Sequence, residues 1–549
     1  MMPQPDLKKL GEERLARLAK KRKRDGSISP PPVGRDTEES SVEAIRRANG
    51  KAAATNQGDL ITVSVKQTQY DRLSAAGEAG QLRASQLRSA NGTRKESTSK
   101  LSDRSDTDNG SSLASNPNSI IQFANLQHPN GAIKRTWSLY HERNNDIKIE
   151  EVLQKDKLKI AVLSSYLWDL DWLFTKINQY TTKTILVMGA ETEAEKREWT
   201  AQAANQGIKV CFPDLPQKGF SKMHSKLMLL FYDDSLRIVV PSANLMSDDW
   251  GESGVMENMV FLIDLPRRGD GMVGKREDLT FFGQELLYFL EKMDLWDKAR
   301  EAILKFDFSR TEKLAFVHSI AGSHYGDDMK RTGLEGLARS IHQLGLQTKD
   351  LRLDYASSSI GSLDLKTISS FHRACRGLQL DDRPSPPPTE DDFVIYFPTI
   401  DTARHSIGGT PNAGTICVQR KWWERKDFPR SYFKDYESKR KGLLSHNKTL
   451  LARMTNLDSG GHFSWAYIGS ANLSSSAWGK LVKDRPRKEM KLTCANWEGG
   501  VVIPGRNFDS VTDDLEKSFE GILDVPFKEE TERYHDGREP WFFMEVNGH

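Results

Sequence analysis

A chain of 549 residues with 79 Lys and Arg against 76 Asp and Glu has room for two or three domains, and its net charge of +3 is too near balance to mark a general polyanion binder, so any nucleic-acid footprint must be local. Its four cysteines, Cys211, Cys375, Cys417 and Cys494, stand far apart with no Cys-x-x-Cys pair, which argues against a zinc site or a disulfide framework and predicts a reducing, intracellular compartment. No apolar run approaches the roughly 20 residues of a membrane span, and the opening residues are charged where a secretory signal would be apolar.

Taken in chain order, residues 1–118 hold a single aromatic, Tyr70, among abundant Ser, Asn, Lys, Arg and Asp. Such a segment buries too little apolar surface to offset its ordering entropy and reads as a disordered tail. Within it, Lys20-Lys-Arg-Lys-Arg24 beside Ser-Pro sites has the form of a nuclear import signal, although a solvated charge run has the same composition. The alternating piece Ile61-Thr-Val-Ser-Val65 is too short to assign.

From about 120 the composition becomes globular. Lys157–Leu163, Thr184–Met188 and Ile208–Phe212 read as strands, and Glu191–Gln206 and Phe282–Met293 as helices, so an α/β unit is expected over 119–308. Inside it, His224-Ser-Lys226 precedes the apolar runs Lys226–Tyr232 and Leu236–Val240, which flank a polar turn and predict a β-hairpin ending at Ser242-Ala-Asn244. Residues two apart on a strand share a face, so His224 and Lys226 are expected to project together, with Asn244 returned beside them. After the helical Leu295–Lys305, a boundary near Phe306–Thr311 opens a second unit, 309–549, with strands near Val394–Phe397, Thr449–Arg453, Trp465–Gly469 and Val501–Ile503. A Pro-rich stretch near 381–392 reads as a flexible insertion. Arg420–Lys426 and Tyr432–Lys441 interleave basic and aromatic residues, a pattern that suits either unpaired bases and phosphates or an amphipathic connector packed on the core.

The second unit then repeats the first motif. His446-Asn-Lys448 is followed by Ser470-Ala-Asn472, and its longer interval is absorbed by Thr455–Gly461, at the hairpin turn. Two matched copies imply a duplicated half-site. Lysine ammonium and asparagine amide donors suit phosphate oxygens, and two histidines allow one to attack phosphorus while the other moves protons. No carboxylate cluster accompanies the motifs, so no cofactor or metal is required.

Paired His-x-Lys with a downstream Asn resembles the signature of the phospholipase D superfamily. The Asp usual five residues after the Lys is replaced here by Phe231 and Arg453, the habit of the tyrosyl-DNA phosphodiesterase branch. Tyr166–Leu173, Ser357–Leu363, Ser470–Gly479 and Asn496–Val501 are similar to that branch too, and the resemblance runs over roughly 120–545. It implies two similar α-β-α domains related by a pseudo-twofold axis around one central site. It also implies that His224 is the nucleophile, that His446 is the general acid and then base, and that Lys226, Lys448, Asn244 and Asn472 hold the phosphate. By the same resemblance Glu498 supports the second histidine, Phe220 stacks on DNA, and Ser359 and Ser362 touch its backbone. Glu257 is assigned as the partner of His224. The implied reaction is hydrolysis of a DNA 3′-phosphotyrosyl bond left by a type IB topoisomerase, by a monomer in the nucleus. A phospholipase on the same fold and an inert DNA-binding scaffold are the rival readings; the absent Asp pair weighs against the first and the completeness of both motifs against the second.

Overall fold

The computed structural model describes residues 126–380, 386–455, 462–508, 514–534 and 537–542. The tail of residues 1–118, with its basic run Lys20–Arg24 and Ile61–Val65, lies outside the described residues, as do 381–385 of the Pro-rich stretch and residues 456–461, where the second turn was expected.

Continuous runs of aliphatic and aromatic residues such as the stretch from Met259 to Ile263 and Phe393–Phe397 cannot present a polar face to water, so they form strands covered on both sides. In chain order these are β1 Ala132–Thr136, β2 Asp146–Ile147, β3 Ile160–Ser164, β4 Lys183–Val187, β5 Lys209–Cys211, β6 Lys222–Met223, β7 Met228–Phe231, β8 Ser235–Pro241, β9 Met256–Glu257 and β10 Met259–Pro266. They continue with β11 Ala315–Ser319, β12 Gly322–His324, β13 Asp350–Ser357, β14 Phe393–Phe397, β15 Phe433–Asp435, β16 Leu444–Ser445, β17 Lys448–Thr455, β18 His462–Gly469, β19 Lys480–Asp484, β20 Glu489–Cys494 and β21 Asn496–Phe508.

One mixed sheet runs β2-β1-β10-β8-β7-β3-β4-β5, and the other runs β11-β21-β18-β17-β13-β14-β15. At the middle of each sits a motif hairpin: β7 pairs antiparallel with β8, Met228 facing Val239, and β17 with β18, Thr449 facing Ile468. Strand alternation decides which core each side chain joins. Met259, Phe261 and Ile263 of β10 enter an inner core that they share with Ile468 and Val501 of the second sheet. Their neighbours Val260 and Leu262 enter an outer core with Leu170 and Leu173 of the helix Leu170–Lys176. A third core covers the far face of the second sheet with the helices Gly333–Gln343 and Leu365–Cys375. Inner faces of the two sheets therefore pack together, with the apolar helix Phe281–Lys292 joining the same core.

One expectation changes and one open reading is decided. His224–Leu227 and His446-Asn447 have no strand geometry; each histidine lies in a break between a two-residue strand (β6 or β16) and the hairpin strand that follows. The aromatics of Arg420–Lys441 serve the core: Trp422, Trp423, Tyr432, Phe433 and Tyr436 are all buried, so that stretch is a packed connector. Lys439 is ion-paired with Glu516 and Arg440 with Glu257, and Lys441 remains exposed.

Candidate active site

The two short strands before the histidines cross between the sheets. β6 pairs in parallel with the start of β21, and β16 pairs in parallel with β9. Each crossing ends in the same hydrogen bond. The His224 amide donates to the Trp497 carbonyl and the His446 amide to the Glu257 carbonyl, both at 3.0 Å. The residue after each acceptor is then held by the serine of a Ser-Ala-Asn segment: Ser470 Oγ donates to Glu498 Oε2 at 2.5 Å, and Ser242 Oγ to Asn258 Oδ1 at 2.8 Å. Two copies of one local design thus interlock, and each histidine is carried on a segment tied to the opposite half.

Both lysines are fully buried, and each Nζ donates back to the carbonyl two residues earlier, Lys226 to His224 at 2.8 Å and Lys448 to His446 at 2.5 Å. Lys448 also donates to Ser358 Oγ at 2.8 Å. The asparagine amides are oriented by the scaffold. Asn244 Oδ1 accepts the Leu167 amide at 3.2 Å, and Asn472 Oδ1 accepts the Ser359 amide at 3.0 Å, so in both residues the NH₂ group is the end left to donate.

The carboxylates are arranged differently from the sequence expectation. Glu498 does not support the second histidine: its Oε2 lies 2.8 Å from His224 Nδ1, and its Oε1 accepts from Asn496. Glu257 does not support His224 either. It accepts from Arg440 Nε at 2.9 Å and from the Tyr436 hydroxyl at 3.3 Å, and touches the site only through its backbone carbonyl. The carboxylate nearest His446 is Asp249, whose Oδ2 lies 3.3 Å from Nδ1 and accepts the Asn244 amide at 2.5 Å. At that separation no hydrogen bond is formed, and His446 Nδ1 has no hydrogen-bond partner among the described residues. The carboxylates are therefore exchanged: β21 of the second sheet supplies His224, and a turn after β8 of the first sheet supplies His446.

Burial sets the charge states. It pushes His224 down to about 4 against the upward pull of Glu498, with Lys226 and Lys448 adding to the fall. His446 falls to about 3, by burial and then by Lys448, with Lys226 contributing against Asp249. Lys448 itself is held well below its usual range by burial and by Lys226. Burial raises Asp249, but His446, the Asn244 amide and Lys448 together bring it below the ordinary carboxylate value. Each imidazole feels both lysines, which makes the two motifs one electrostatic site. Such a cluster of buried lysines and imidazoles is organised for an anion that brings its own negative charge.

Other expected site residues divide. Phe220 is exposed on the turn four residues before His224. Ser359 is buried and orients Asn472 through its amide, and Ser362 accepts from Arg425. Tyr166, which the sequence marked only as part of a similar stretch, packs its ring 5.2 Å from that of His224. Among the described residues, no group of three or more His, Cys, Asp or Glu side chains is placed to hold a metal ion, and no helix is long and apolar enough to cross a membrane. All four cysteines are free and buried.

A sequence model of the tyrosyl-DNA phosphodiesterase family matches residues 132–535. Tyrosyl-DNA phosphodiesterase 1 of Arabidopsis thaliana is 27% identical over 375 residues, covering 65% of this chain and 58% of that protein. Its Drosophila melanogaster namesake is 26% identical over 393 residues, covering 66% and 64%. The chain therefore spans less than two thirds of the length of these relatives. A crystal structure of the yeast tyrosyl-DNA phosphodiesterase superposes with a TM-score of 0.53 over 75% of this chain and 100% of that one, at 20% identity, a likeness of α/β fold.

Proposed function

Because the chain belongs to the tyrosyl-DNA phosphodiesterase family, we propose that it hydrolyses the bond between a DNA 3′-phosphate and a tyrosine, of the kind a type IB topoisomerase leaves, through a covalent phosphohistidine. Glu498 accepts a hydrogen bond from the Nδ1–H of neutral His224, which leaves the Nε2 lone pair to attack phosphorus and steadies the positive charge the ring gains as the P–N bond forms. Lys226, Lys448 and the two asparagine NH₂ groups hold the non-bridging oxygens as charge develops on them. The P–N bond forms as the P–O bond to tyrosine breaks, and His446 delivers its proton to the departing phenolate. With a phenol pKa near 10, tyrosine leaves more readily than an alkoxide, and general-acid help is worth roughly 10² to 10⁴. Neutral His446 then takes a proton from water as its oxygen attacks phosphorus, the P–N bond breaks, and a 3′-phosphate is released.

The observation that carries this reading is the exchange of carboxylates: two half-sites that each need the other half's acid are built to act on one atom. Single-turnover reaction of a 5′-labelled oligonucleotide bearing a 3′-phosphotyrosine tests it. The wild type should yield the 3′-phosphoryl strand, His224→Ala should leave the substrate intact, and a His446 substitution should accumulate a protein–DNA adduct. An adduct on the His224 variant and none on the His446 variant would reverse the roles. The same reading places the protein in the nucleus as a monomer, with Lys20–Arg24 as the import signal.

A further inference from the structure

We infer that the hairpin β19–β20 is a backbone track that grips the DNA strand leading to the site, an inference that rests on the DNA reading above. Its position comes first. Only Gly479 separates β19 from the helix Ser475–Trp478, whose N-cap Ser474 is two residues beyond Asn472. At the other end, Ala495 donates its amide to the Ser476 carbonyl at 3.0 Å, and the next residue, Asn496, holds Glu498. Both feet of the hairpin therefore stand on residues that carry the active site.

Charge comes second. Between Lys480 and Lys491 there are six cations, Lys480, Lys483, Arg485, Arg487, Lys488 and Lys491, and two carboxylates, Asp484 and Glu489. That is more net charge than the +3 of the whole chain. Both carboxylates are already occupied: Asp484 by Lys491 at 2.9 Å and the Tyr325 hydroxyl at 2.7 Å, Glu489 by Arg487 at 3.6 Å. Lys480, Lys483, Arg485 and Lys488 are exposed and form no ion pair among the described residues. Between the hairpin and the first turn of the helix Leu365–Cys375 lies a cleft with an apolar floor that includes Leu334, Leu380 and Met490, and Lys366 and Lys480 are among the polar residues that line it. Asp364 in the same cleft is spent on the cap of that helix, accepting from the Thr367 amide and hydroxyl, both at 2.7 Å.

An edge strand needs some charge to resist pairing with other chains, and β19 is such an edge. One or two lysines of either strand would meet that need, and so would glutamates. Edge protection accounts neither for an excess of six cations over two carboxylates nor for the cations of the turn, Arg485 and Lys488, which lie off the ladder. A polyphosphate accounts for both. Five residues of strand span about 16 Å, the length of roughly five stacked nucleotides at 3.4 Å each.

The test replaces Lys480, Lys483, Arg485 and Lys488 together, once by Gln and once by Glu, the Glu set preserving edge protection. Binding of a single strand of about twelve nucleotides ending in a 3′-phosphate is followed against salt. Four phosphate contacts at about 0.7 each give a log–log salt slope near 3, a change of about 50-fold between about 50 and about 200 mM salt. Both variants should lose that part of the slope while turning over a mononucleoside 3′-phosphotyrosine at the wild-type kcat. Retained affinity and slope in either variant overturns the track. Should the fourfold changes harm folding, seen as lost mononucleoside turnover, Arg485→Gln with Lys488→Gln in the turn should remove about half the slope, and an unchanged slope there is equally fatal. A wild type that binds the strand with this salt dependence but cleaves no 3′-phosphotyrosine would sink the function and leave the track standing.

Discussion

Burial keeps both imidazoles neutral near pH 7, yet the proposed reaction needs His446 to arrive as an acid. Two buried lysines stand against Glu498 and Asp249 in the site, and burial together with Lys226 holds Lys448 below its usual range. An entering anion stabilises each cationic form, and the least costly response is to take up a proton at His446. Binding of sulfate, which does not titrate between pH 6 and 8, should therefore be accompanied by uptake of roughly one proton at pH 7. Calorimetry in two buffers of different ionisation enthalpy measures it directly, and the same uptake makes sulfate bind up to tenfold more weakly per unit rise in pH. His446→Asn should remove most of the effect; proton-neutral binding by the wild type would show that the acid is already present. Sequence made six of these residues legible, because His-x-Lys and Ser-Ala-Asn repeat. Asp249 escaped since it has no counterpart in the other copy; the matching places of the two copies hold Asn258 and Glu498, and of these only Glu498 reaches a histidine. Glu257 misled for a related reason: it sits one residue before the matching position, so only its carbonyl faces the site.

At the scale of elements, the long apolar runs that read as strands and the helices Glu193–Ala204 and Phe281–Lys292 were visible from composition and period. The crossing pairs β6–β21 and β9–β16 were not, since two residues carry no periodicity and their register is decided by partners over 180 positions away. Those crossings are nonetheless what positions the histidines, and one of them rests on a buried ion pair. Arg440 reaches from the segment before β16 to Glu257 in β9 and to the Thr136 carbonyl at 2.9 Å. Removing one partner of such a pair strands the other charge, typically at 3–5 kcal/mol. Arg440→Met should therefore lower stability by about that amount, whereas Arg440→Met combined with Glu257→Met should recover a good part of it. Denaturant titration of the two single variants and the double distinguishes this from a local loss of packing, in which the double would be no better than the worse single. Because the His446 amide bonds to the Glu257 carbonyl, kcat should fall in Arg440→Met even at saturating substrate.

For the molecule as a whole, the shared inner core and the exchanged carboxylates make stability and activity answer to the same protons. His224 and His446 titrate near 6.5 when unfolded and at about 4 and about 3 when folded. Burial lowers His318, His324 and His372 as well. A histidine with a depressed folded pKa binds its proton more readily in the unfolded chain, so its contribution is unaffected above pH 6.5 and turns against folding as pH falls from there toward the folded value. Each such group contributes a slope of about 1.4 kcal/mol per pH unit within that window. The carboxylates held low, Glu285 at about 2 and Asp249, act in the same direction but only below about pH 4.5. Melting temperature should consequently begin to fall near pH 6.5, well above the range where carboxylates alone would act. Calorimetric scans between pH 7.5 and 4.5 should show a shallower decline in the variant with His224→Asn and His446→Asn than in the wild type. An identical decline would mean that the site opens to water before the molecule unfolds, so that its two histidines are hydrated and protonated in a still-folded chain.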